Sequence, residues 1–246
     1  MSGVEEIAKV IQEKAKLGQK GLSIAEKVGG FFAKLFKEPA VEVSGMITDK
    51  LRFIRWKRMI EITDEVNAIL AQRGIVETRA VTPKIALPIM EEASLEDNPD
   101  IRFLWNHLLA NAMDPSFNGE IRYGFVDMIK NITGLEAKIL NDFYNLLQKN
   151  DSIRPIVRAY NYSINKEQII EDLMISEEEY AIAVNNLMRL QLISPAVIKS
   201  SGISLSASAL SPTVSYGLGE KPTIFKGIDA ITMTPLGVRF VEACIK

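Results

Sequence analysis

Apolar residues recur at helical spacing along most of this chain, and the spacing changes only near its end. Val4, Ile7, Ile11, Ala15, Leu22, Ala25, Phe32 and Phe36 fall three, four or seven apart, which predicts an amphipathic helix over residues 4–37. Gly18, Gly21 and the Gly29–Gly30 pair divide it, because glycine costs about 1 kcal/mol in a helix interior, and Pro39 ends it. Lysines such as Lys9, Lys16, Lys20 and Lys27 ride on the polar side. A second long helix is predicted from about Val43 to Arg73. Its apolar residues face more than one direction, Leu51, Ile54 and Ile62 on one side and Phe53, Trp56 and Ile60 on another, which marks a helix central in its bundle. Gly74 suits the position after the helix end, and an extended segment through Val81 follows.

Beyond Pro83, the stretch KIALPIMEEAS predicts a short helix interrupted at Pro88. Asn98, Pro99 and Asp100 then form the strongest start signal in the chain, combining a cap, a proline at the first helical position and an acid in the first turn. Ile101, Leu104, Trp105, Leu108, Ala112 and Met113 make the apolar stripe, and Asp114–Pro115 stops the helix. A further helix is expected over about Ile121–Ile132.

From Thr133 onward capping signals punctuate the chain. Thr133 with Glu136 forms a capping box opening a helix to about Lys149, with Ile139, Phe143 and Leu146 inward. Asn165 with Gln168 resembles a second box, for a short helix through Leu173. Ser176 with Glu179 is a third, with Ile175 and Tyr180 placed as a hydrophobic staple on a helix to about Leu190. Between Lys199 and Glu220 the period falls to two. Ile203, Leu205, Ala207 and Ala209 alternate with serines, Ser211–Pro212 turns the chain, and Val214, Tyr216 and Leu218 alternate again, which predicts a β-hairpin with one apolar face. ITMTPLGVRF closes the pattern as a strand turning into a helix, with Pro235 in the first turn and Gly237 allowing close packing.

The expected fold is mainly α. A helical region over residues 1–132 precedes a winged-helix-like α+β module over 133–246, with an enlarged β-hairpin wing at about 194–234. The chain has 246 residues, 47% hydrophobic and 24% charged, so it is globular rather than mainly disordered. Lysine and arginine total 29 against 31 acids, so there is no global nucleic-acid signal. One cysteine excludes an internal disulfide, and one histidine excludes zinc or dyad schemes that need two. The N-terminus is studded with charges and no apolar run reaches 18 residues, so the expectation is a cytoplasmic protein without a membrane-spanning helix.

Candidate chemistry is sparse. His107 falls at the edge of an apolar stripe and Cys244 lies in an apolar helix, where structural roles are expected. The acid pairs Glu91/Glu92 and Glu96/Asp97 sit where helix starts favour negative charge. No phosphate-binding glycine loop, zinc-protease motif or nucleophile elbow is present, so no enzyme and no cofactor is expected. The basic run Lys50–Arg58 could hold phosphate, but its interleaved apolar residues point to a core helix with solvated charges. The helix that would read DNA in a winged helix opens Ser176–Glu177–Glu178–Glu179, and three glutamates repel a phosphate backbone. Protein contact, above all with a second copy, is favoured over nucleic acid. Ile203, Leu205, Val214, Tyr216 and Leu218 are the candidate contact surface. The rival reading of that hairpin is insertion into a membrane, although each arm, at about 8–9 residues, falls just short of the roughly 9–11 that a bilayer strand needs.

Several segments carry a family resemblance. They are the stretch from Gly45 to Trp56, Gly74–Ile75, Val81 to Leu87, Glu91–Glu92–Ala93–Ser94–Leu95–Glu96–Asp97, Leu104–Trp105, Leu108 to Asp114, and Gly124–Phe125–Val126 through Leu140. Together they resemble the Abi-alpha family, the bacterial abortive-infection alpha domain. That resemblance implies a mostly helical cytoplasmic protein of bacterial or prophage origin, linked to phage defence by cell suicide or growth arrest. It supplies no catalytic residue. The combined expectation is a non-enzymatic defence protein acting through protein contacts or self-association. A membrane-active effector using the N-terminal helix and the hairpin is the alternative, and a DNA-binding regulator is the third.

Overall fold

Among the described residues, Asn98 starts the most deeply buried helix. Its side-chain oxygen accepts from the amides of Asp100 (2.9 Å) and Ile101 (3.3 Å), two of the donors that a helix start leaves unpaired. The computed structural model describes residues 50–148, 162–196 and 228–245, together with Gln12, Lys16 and Gln19, which are helical and exposed. Among these residues the architecture is mainly helical, with one small antiparallel sheet. In chain order the elements are α1 (Lys50–Gln72), α2 (Pro83–Ala93), α3 (Pro99–Met113), α4 (Tyr123–Lys130), α5 (Gly134–Gln148), β1 (Ile164–Asn165), α6 (Lys166–Leu173), α7 (Glu177–Arg189), β2 (Ile193–Pro195), β3 (Ala230–Met233) and α8 (Pro235–Cys244). The chain divides into two compact units. The first is Met1–Asn141 with Arg239–Lys246, and the second is Asp142–Val238.

In the first unit, α3 packs against α1, α2 and α4. The predicted stripe of α3 is buried, and so are Asn106, Leu109, Ala110 and Asn111, so α3 is enclosed around most of its circumference. The central place expected for α1 therefore belongs to α3. α1 still buries two faces, through Trp56 and Ile60 and through Ile62 and Val66, while Ile54 stays 44% exposed. The interruption expected at Pro88 does not occur: α2 runs unbroken from Pro83 to Ala93. A mid-helix proline removes one backbone bond, but Ala86, Ile89, Met90 and Ala93 form a fully buried i, i+3, i+4, i+7 stripe whose packing outweighs that loss. Phe125 of α4 meets Phe240 of α8 edge to face, with centroids 5.6 Å apart.

The far end of α3 shows why the extended segment after α1 takes its course. A helix leaves its last four carbonyls without helical partners. Here the Asp114 amide returns to Ala110 O (2.9 Å), and Arg79 meets the remaining three. Its amide donates to Met113 O (2.8 Å), Nε to Ala112 O (2.8 Å) and Nη2 to Asn111 O (3.0 Å).

In the second unit β3 lies between β1 and β2 and pairs antiparallel with both, Ile164 opposite Ile231 and Ile193 opposite Met233. The two-residue strand β1 was not foreseen. It also explains why the box expected at Asn165 is absent. Asn165 pairs with Ala230 and the Lys166 amide donates to Asp229 O (2.9 Å), so the sheet rather than the asparagine side chain organises the start of α6. The Ser176–Glu179 box forms in full: the Glu179 amide donates to Ser176 Oγ (3.2 Å) and the Ser176 amide to Glu179 Oε2 (2.8 Å). Tyr180 is buried and its hydroxyl donates to Ile228 O (2.9 Å), while burial pushes its phenol up to about 12. Among the residues expected to face inward from α5, Phe143 is buried and Leu146 is half-buried, with Leu147 taking the deeper position. The hairpin residues Ile203, Leu205, Val214, Tyr216 and Leu218 lie outside the described residues.

Two substitutions test this account. A β-carbon on Gly237 would stand 2.0 Å from Leu192 O, a backbone atom that cannot rotate away. In an ordinary helix Gly→Ala stabilises by about 1 kcal/mol. Gly237→Ala is instead expected to destabilise by about 1–3 kcal/mol through overpacking, read as a lower urea midpoint; a raised midpoint would refute the close approach. Arg79→Ala is expected to cost about 1–2 kcal/mol, since it strips two side-chain bonds from the α3 terminus. Arg79→Lys should recover little in the same urea titration, because a single ammonium cannot reproduce the planar fork.

Candidate functional site

Three charged or amide side chains converge where α1, α3 and α8 end. Asn111 lies three residues beyond Leu108 and seven beyond Leu104, within the apolar phase of α3, and is 1% exposed. Its Nδ2 donates to the carbonyls of Ala243 (2.8 Å) and Glu242 (3.4 Å), in the last turn of α8. Its Oδ1 accepts from Arg73 Nη1 at 2.6 Å. The same guanidinium stands 3.7 Å from Asp114 Oδ2. Gly74, at φ +73°, supplies the left-handed residue that lets the chain leave α1 beside Arg73.

Asp114 is buried, and its Oδ1 accepts from the Ser116 amide (2.7 Å) and hydroxyl (2.6 Å). Burial alone would raise this carboxyl. The Ser116 bonds, the Arg73 charge and the Phe117 amide together outweigh it and hold the group below its ordinary value. Asp114 is therefore an anchored anion rather than a proton donor.

Above this node opens a cavity of about 510 Å³. Arg73, Asp114, Phe117, Asn118, Arg239 and Glu242 are among the residues that line it. Arg239 Nη1 pairs with Glu242 Oε2 at 2.9 Å, and the two side chains are 51% and 19% exposed. Among the described residues, no group of three or more histidine, cysteine, aspartate or glutamate side chains is placed to hold a metal ion. What the cavity offers chemically is recognition by charge and shape.

The residues singled out from sequence do not gather there. His107 is half-buried on α3, its ring against Phe103 at 3.9 Å and its Nδ1 3.0 Å from Phe103 O. Burial, aided by the Arg73 charge, lowers its basicity against the opposing Phe103 bond, so the neutral ring is favoured. Cys244 is wholly buried, which pushes its thiol well above the usual range and leaves little thiolate. The acid pairs part company: Glu92 binds Lys130 (2.7 Å), Asp97 binds Arg58 (2.7 Å), and Glu96 accepts from the Asn98 amide (2.7 Å). Within the basic run, Arg58 is committed to Asp97 and Glu61, which supports the structural reading of that stretch. Arg73 and Asn111 were missed. The one available signal was a polar residue in the apolar phase of α3, because burying an amide requires partners that only the fold supplies.

A family model described as abortive infection alpha matches residues 56–244, most of the chain. No curated protein and no solved structure matches the sequence.

The Asp114 anchor has a pH signature. A folded value held below 3.8 contributes stability that is present above 3.8 and is lost as pH falls through the lower folded value. Asp114→Asn should melt several degrees below the native chain at neutral pH, given about 1–3 kcal/mol for an unpaired buried partner. In thermal melts the gap should narrow as pH drops below 3.8; a gap independent of pH would contradict the ionised anchor.

Proposed function

The chain belongs to the abortive infection alpha family, and from that premise we propose a non-enzymatic, cytoplasmic protein of phage defence that works through protein contacts, chiefly with its own copy. We read its C-terminal part as a winged-helix-like module. The order helix, strand, helix, helix, strand, strand supports this, as does the last strand lying between the other two. The wing expected at about 194–234 takes in most of β2 and all of β3, and its residues 197–227 lie outside the described residues.

The observation that carries the protein-contact reading is the outer face of α7. Glu178, Ile182, Asn185 and Arg189 succeed one another along it, all exposed, with Ile182 at 65%. Glu177 and Glu179 flank the entering end, Glu177 paired with Lys166 at 2.9 Å. Nucleic-acid binding starts from phosphate neutralisation by Lys and Arg, and this face sets three carboxylates at its entering end and an aliphatic side chain at its middle against Arg189, whose guanidinium donates to Asn186 Oδ1. An exposed isoleucine beside fixed charges suits a protein partner better. Among the described residues no helix is long and apolar enough to cross a membrane.

The test pairs two readouts. Cells carrying the gene should show reduced plaquing against part of a broad phage panel, and light scattering should give a mass above one chain. Leu205→Asp with Val214→Asp, on the apolar phase of the wing, should return the mass to a monomer and restore plaquing. Unchanged plaquing across the panel, or full protection by a monomeric variant, would refute the proposal.

A further inference from the structure

Among the described residues the charges lining the cavity of the first unit cancel: Arg73 and Arg239 stand with Asp114 and Glu242. The two pairs differ in kind. Arg73 is bound to Asn111 and Asp114 to Ser116, so neither turns without breaking part-buried bonds. Arg239 and Glu242 stand one turn apart on α8, with the arginine side chain half exposed. Among the described residues Arg239 commits only Nη1, to Glu242, leaving Nε and Nη2 as donors. An i, i+3 pair with one half-exposed member contributes only about 1 kcal/mol, so the arginine can turn from it to a ligand at little cost.

A net anion would gain Arg239 but lie beside Asp114 and Glu242, and a net cation would meet the reverse. A ligand carrying both signs on neighbouring atoms enters without net charge and replaces one weak ion pair by two charge-assisted ones. Phe117 adds an apolar wall, held against the backbone at Gly119, where a β-carbon would come 2.3 Å from the ring. The volume of about 510 Å³ lies in the size range of small-molecule sites. We propose that this cavity binds a zwitterionic, amino-acid-like small molecule. Its carboxylate lies on the Arg239 guanidinium, its ammonium on the Glu242 carboxylate, and its apolar side chain on Phe117. No bond is made or broken, and the site is independent of the self-association proposed above.

The experiment is saturation-transfer NMR and calorimetry on the full chain with L-leucine, L-methionine and L-phenylalanine. Phenylacetate, phenethylamine and inorganic phosphate serve as single-charge controls. The zwitterions should bind, and phenylacetate and phenethylamine should each bind about tenfold or more weakly than phenylalanine, the loss of one charge-assisted contact. Arg239→Gln and Glu242→Gln should each weaken binding by a similar factor, with thermal melts shifted by no more than the small worth of their mutual ion pair. Phe117→Ala should erase the preference for apolar side chains. No binding of any amino acid at millimolar concentration would overturn the proposal. So would controls that bind as well as phenylalanine, or affinities unmoved by both glutamine variants.

Discussion

One buried carboxamide holds the first unit together. Asn111 is almost wholly enclosed, and an amide in that position costs several kcal/mol unless its hydrogen-bonding capacity is met. Its nitrogen serves carbonyls at the end of α8, residues distant in sequence, and its oxygen receives Arg73 from the end of α1. Helix carbonyl ends carry partial negative charge, so a guanidinium beside them is favourable, and Asp114 balances what remains. The residue that makes α3 look imperfect as an amphipathic helix thus ties the ends of two other helices to it.

The same logic of unpaired helix ends recurs with different parts. α3 begins on an asparagine side chain and ends on Arg79 reaching in from another segment, whereas α7 begins on its own serine and glutamate. A local cap works wherever the chain supplies residues at the right spacing. A distant one works only after the segments have met. In the second unit the sheet takes over the role of a cap, positioning Lys166 through Asp229 O. Gly237 then admits the Leu192 backbone to a distance that any side chain would forbid.

That division explains which features were legible. The start of α3 at Asn98–Pro99–Asp100, the box at Ser176–Glu179 and the stop at Asp114–Pro115 all rest on neighbours within a few residues, and all were readable. Gly237 was readable as a place of close packing, but not that its partner is the distant Leu192 backbone. Pro88 misled because its local cost was visible while the burial of Ile89 and Met90 that overrides it was not. β1 was invisible for the opposite reason. Two residues carry no period, and they become a strand only when β3 arrives beside them. The half-burial of His107 and the full burial of Cys244 follow from the apolar stripes that carry them.

The order of helices, the local caps at Asn98 and Ser176 and the absence of recognisable catalytic motifs follow from residue spacing, because helical periodicity and end chemistry act over three or four positions. The convergence of Arg73, Asn111 and Asp114, the cap that Arg79 makes and the cavity with its balanced charges came from packing alone. These groups stand as many as 132 residues from their partners, and a buried polar atom finds its partner only where the folded backbone delivers one.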